Sequence, residues 1–121
     1  MIKQTFFSSV GNAINGIYSF FKSERNGQIQ LTIALMVITA GVLCDINRIE
    51  WLIILLCIAM VIALEMINSA LEKLSDLVEP NYNPTIKIVK DVGAAAVLWS
   101  VIISIVIGLV IFIPRIITWS H

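Results

Sequence analysis

Charge is what this chain has least of. Asp, Glu, Lys and Arg together make up 13% of its 121 residues, and the eight basic side chains balance the eight acidic ones. With no net charge and no basic cluster, the composition argues against nucleic acid as a partner. Cysteine is scarce too. Cys44 and Cys57 lack CxxC spacing and have no histidine near them, which argues for packing rather than a metal or disulfide role. The single histidine, His121, stands at the end of the sequence and is incidental. No GxxxxGK[ST] sequence occurs, so there is no P-loop. The first residues also lack the continuous apolar core and small-residue cleavage site of a signal peptide.

What is present is apolar. Hydrophobic residues make up 59% of the chain, and the mean hydropathy of +0.96 fits an integral membrane protein. The length suits one domain, here an all-α one covering residues 1–121. Ile29 to Cys44 and Trp51 to Leu64 contain no charged residue, and Val92 to Ile113 forms a third, longer apolar run ending before Pro114. A bilayer core needs about 20 apolar residues, so the first two runs rely on flanking polar residues that snorkel. A soluble bundle is excluded, since a chain of this size cannot hide three such segments from water.

Spans are therefore expected at 28–45, 48–78 with an extension beyond the membrane, and 84–113. The second opens on Asn47-Arg-Ile-Glu50, a capping-box pattern. The third opens on Asn83-Pro84, a cap followed by proline at the first helical position, and Pro114 is expected to end it. Before them, Phe6, Val10, Ile14, Ile17 and Phe21 recur every three or four residues. That pattern predicts an amphipathic helix over 1–23 lying in the membrane interface.

Basic residues set the orientation. Lys3, Lys22 and Arg25 precede the first span, and Lys73, Lys87 and Lys90 lie between the second and third, leaving Arg48 and Arg115 opposite. This bias places the N-terminus and second loop in the cytoplasm and the C-terminus outside.

Four polar residues carry the chemistry. Glu65, Asn68, Glu72 and Asp76 are spaced three, four and four apart, within an arc of roughly 80° on one helical face. Arg48 to Leu64 covers about 25 Å of helix before them, so this face emerges at the cytoplasmic boundary. Carboxylates there repel one another unless a cation or substrate pairs with them. Glu65 and Glu72, about two turns apart with the Asn68 amide between them, make an oxygen-ligand set for a divalent metal. Lys87, Lys90, Asp91 and Ala94 share one face of the third helix's first turns, where ammonium groups suit phosphate. Gly93-Ala-Ala-Ala96 permits close approach of another helix. On the residues alone, a trimeric scaffold of paired charges and a channel with a carboxylate ring remain open.

The pattern Glu65-x-x-Asn68-x-x-x-Glu72-x-x-x-Asp76, followed by Lys90-Asp91-x-x-Ala94-Ala95-Ala96-Val97-Leu98, resembles the prokaryotic diacylglycerol kinase and undecaprenol kinase family. Gly16 and the Lys22-Ser-Glu24-Arg25-Asn26 segment extend the likeness over nearly the whole chain. The resemblance implies a homotrimer with three spans per subunit, phosphorylating a lipid hydroxyl with ATP and Mg²⁺. It implies Glu65 as general base, with Glu24 and Glu72 as metal ligands. It implies Asn68, Asp76, Lys90 and Asp91 as nucleotide contacts. Glu24-Arg25-Asn26, Glu50-Trp51 and Phe112-Ile-Pro114-Arg115 look more like the undecaprenol-kinase branch, with diacylglycerol the alternative substrate. Because Glu24 lies on a different element from Glu65 and Glu72, sites shared between neighbouring subunits are expected.

Overall fold

The structure, a computed structural model, describes residues 5–119 as four helices with no strand among them. Lys3, the first four residues of the expected surface helix and His121 lie outside the described residues. Helix α1 spans Phe6–Ser23, α2 Arg25–Cys44, α3 Arg48–Val78 and α4 Pro84–Trp119. The last three are long and apolar enough to cross a membrane, with mean hydropathies of 1.8, 2.4 and 3.0 over their most apolar windows.

Thr5 starts α1 by accepting the Ser8 amide on its hydroxyl, 3.1 Å away. Phe6, Val10, Ile14 and Ile17 are exposed along this helix and Phe20 alone is buried, as an interfacial helix requires. The chain turns at Glu24, whose extended backbone ends α1 and begins α2. The Gln28 amide bridges the break, donating to the Phe21 and Lys22 carbonyls at 3.0 and 3.2 Å. Gly27 is required here, because a Cβ would fall 2.5 Å from the Phe20 ring.

Asp45 closes α2 in the left-handed region at φ 52°. The Asp45 amide donates to the Val42 carbonyl and the Ile46 amide to that of Gly41, each at 3.2 Å, which satisfies carbonyls the helix end would orphan. Asn47 and Glu50 then form the expected capping box, with bonds of 2.9 and 3.0 Å. Asn83 caps α4 as expected, its side-chain oxygen accepting the Thr85 and Ile86 amides.

Helix α3 has 31 residues and α4 has 36. At 1.5 Å per residue both exceed a hydrocarbon core of about 30 Å by at least about 15 Å. They pack chiefly on each other, joined by the connection at 79–83, so their surplus turns project together from one side. At the opposite end Ile46, Ile54 and Ile111 form a buried cluster with Trp51 and Phe112 against it.

The expectation that Pro114 ends the third helix is corrected: α4 continues through it to Trp119. Proline forfeits one backbone hydrogen bond but need not end a helix whose far side is anchored. Here Arg115 pairs with the Glu50 carboxylate at the start of α3, and its guanidinium also lies 3.5 Å from the Asp45 carbonyl.

Candidate active site

The polar face of α3 sits where α2, α3 and the α1–α2 junction meet. Glu65 and Asn68 are 4% and 6% exposed, whereas Glu72 and Asp76 are open to solvent. The face therefore runs from a buried carboxylate outward to an exposed one. From α2, the Asn26 and Gln30 side-chain amides stand near enough to act on the Glu65 carboxylate, as do the charges of Glu72 and Glu24. Asn68 donates to Glu72 at 3.4 Å, while its own carbonyl oxygen is buried without a partner.

Glu24 stands at the α1–α2 turn, 3.0 Å from the Lys73 ammonium. The Lys73 bond and one from the Ser69 hydroxyl hold its carboxyl below the usual carboxylate range. Across the two projecting helices, Lys90 pairs with Asp76 at 2.8 Å. Asp91 is turned elsewhere, to Lys87 one turn back on its own helix at 2.7 Å.

The structure thus gathers Glu65, Asn68, Glu72 and Glu24, and brings Lys90 to Asp76 beside them. Asp91 is not brought into that group. The α1–α2 turn folds Glu24 back beside Glu65 within one chain. Among the described residues neither Glu65 nor Glu72 makes an ion pair. Carboxylates at a membrane boundary without a countercharge are costly unless a cation joins them.

No group of three metal-ligating side chains occurs among the described residues. Asn26, Gln30 and Ser69 were not singled out as site residues from sequence. Their one signal is spacing: Asn26 and Gln30 stand four apart at the start of an otherwise apolar run.

A helical, three-span chain with carboxylates and lysines gathered at one end of its spans has the build of a small membrane-embedded phosphotransferase. A sequence profile of the prokaryotic diacylglycerol kinases matches residues 11–112, and the chain belongs to that family of integral-membrane lipid kinases. It is 39% identical over 110 residues to the undecaprenol kinase of Bacillus subtilis (strain 168), covering 91% of this chain and 89% of that one. It is 34% identical over 100 residues to the diacylglycerol kinase of Synechocystis sp. (strain ATCC 27184 / PCC 6803 / Kazusa), covering 82% of this chain and 57% of that one. The chain is thus a lipid kinase using ATP, and the scaffold and channel readings fall away.

Proposed function

We propose that this kinase transfers the γ-phosphoryl group of MgATP to the hydroxyl of undecaprenol, at the cytoplasmic face of a bacterial inner membrane, as a homotrimer. The observation that carries the reading is Glu65: a carboxylate only 4% exposed, flanked by two amides of α2, where the charge-free run of α3 ends. The likeness to the Bacillus subtilis undecaprenol kinase, spanning 91% of the chain, favours undecaprenol over diacylglycerol. Lys22, Arg25, Lys73, Lys87 and Lys90, flanking the projecting side, support its cytoplasmic placement.

In this reading Glu65 takes the proton of the lipid hydroxyl. The oxygen's electron pair forms the bond to the γ-phosphorus as the bond to the β–γ bridging oxygen breaks and ADP departs. The proton on Glu65 then passes to solvent. Glu72 and Glu24 would hold the magnesium, Glu24 giving up Lys73 to do so, and the ion would supply neutralisation of phosphate charge. Asn68 offers an amide donor and acceptor to the phosphates, and Lys90, held by Asp76, brings an ammonium to the transferring group. Asp91 contacts the nucleotide from the rim, beyond its bond to Lys87.

The test is phosphate transfer from labelled ATP to undecaprenol and diacylglycerol in detergent micelles by the purified protein. Undecaprenyl phosphate as the preferred product is expected. Preferred formation of phosphatidic acid would move the assignment to diacylglycerol.

A further inference from the structure

Gln30 has a second half that the reaction above leaves unused. The Gln30 carbonyl oxygen is buried with no donor, so the half of the amide that acts on Glu65 is its NH₂. Buried polar atoms are nearly always partnered, so an orphaned acceptor beside a reacting group needs an explanation.

Gln30 also stands at the head of a groove of about 330 Å³ between α2, α3 and α4. The groove runs along α4 from Val101 to Phe112, about 16 Å at helical rise, within the apolar part of the spans. Its walls are almost wholly hydrocarbon, with Ser104 as a further polar member. At its centre Gly108 leaves open space, since a Cβ added there would meet nothing within 4 Å. A groove that is apolar along its length and ends in one free acceptor matches a molecule that is hydrocarbon along its length and ends in one donor.

We infer that Gln30 is a positioning residue whose carbonyl oxygen docks the lipid hydroxyl, while the substrate's chain lies in the groove below. The hydroxyl proton lies between two acceptors, the amide oxygen and Glu65. Docking on the amide places it beside the carboxylate, and transfer needs only that the bond turn from one to the other. The same amide holds Glu65 in place through its NH₂. The inference rests on Glu65 being the base, and Glu65→Gln is measured in parallel to separate the two claims.

The experiment uses the full chain in mixed micelles with the lipid alcohol that the wild type phosphorylates. Gln30→Met keeps the shape and removes both donor and acceptor. It should raise KM for the lipid by at least about tenfold and leave KM for ATP within about twofold of wild type. Gln30→His, which retains one donor and one acceptor, should recover part of that loss. Gly108→Leu should fill the groove and raise the lipid KM in the same way, with the oligomer unchanged by size-exclusion chromatography. An unchanged lipid KM in Gln30→Met, or equal losses toward lipid and ATP, would overturn the inference. So would a Gly108→Leu oligomer that falls apart, which would assign the groove to a neighbouring subunit's helix. Near-normal turnover by Glu65→Gln would overturn the base assignment instead, whatever Gln30 does.

Discussion

At the scale of single residues, the site depends on which carboxylates have countercharges. Glu65 has amides and no cation, whereas Glu24 has Lys73. Glu65→Gln preserves volume and polarity but cannot accept a proton near neutrality. Turnover should fall by roughly 10² or more with ATP affinity unchanged, as read from initial rates and nucleotide titration. Glu72→Gln and Glu24→Gln each remove a hard anionic oxygen and should raise the Mg²⁺ concentration needed for half-maximal rate. The Glu24–Lys73 pair also sets a pH dependence. Its folded carboxyl lies below the ordinary 4.5, so its stabilisation is complete above the unfolded value and is lost as pH falls through the lower, folded one. A pair this near solvent contributes about 0.2–1 kcal/mol. Thermal unfolding followed from pH 6 to 3 should show an acid-side loss that Lys73→Met abolishes; equal profiles would remove the pair from the stability account.

Elements meet where glycine allows it. A Cβ on Gly93 would lie 2.6 Å from the Asn68 side-chain oxygen and 2.9 Å from Leu71, so α4 rests directly on the polar face of α3. Two effects oppose one another in Gly93→Ala. Relief of glycine's flexibility in a helix contributes about 0.5–1 kcal/mol, whereas overpacking costs about 1–3 kcal/mol. Overpacking wins, so the variant should unfold earlier and lose activity through a displaced Asn68. Gly11→Ala on α1, where a Cβ meets nothing within 4 Å, should instead be neutral or slightly stabilising. A Gly93→Ala protein with wild-type melting and rate would refute this contact. The same local-versus-distant contrast explains what could be read in advance. The Asn47–Glu50 box and the Asn83 cap act over three residues, so adjacent letters carry them. Past Pro114, α4 is tied to the start of α3 by a bond between Arg115 and Glu50, 65 positions apart, which no window around the proline contains. Likewise the polar stripe on α3 was visible as spacing, but Asn26 and Gln30 gain their meaning only when α2 folds against Glu65.

For the whole molecule, the question is how much of a site one subunit owns. The sequence places Glu24 on a different element from Glu65 and Glu72, which on its own suggests exchange between neighbours. Within one chain the fold already sets Glu24 beside the polar face that carries Glu65. The Glu24 turn is held by Gln28 bonding back to the end of α1, and its carboxylate is tied to Lys73 one turn beyond Ser69 on the same α3. Exchanging Glu24 between chains would require breaking both ties. Mixing inactive Glu24→Gln and Glu65→Gln subunits tests whether the two carboxylates act within one chain, in which case activity stays absent. Mixing Glu65→Gln with wild type should give activity in proportion to the wild-type fraction. The measurement is phosphorylation rate against mixing ratio after subunit exchange in detergent, with exchange verified by differently tagged chains. Recovery in the first mixture would show that the carboxylates are supplied by different chains. It would then assign the Glu24–Lys73 pair to the resting protein alone, with the working site assembled across the subunit boundary.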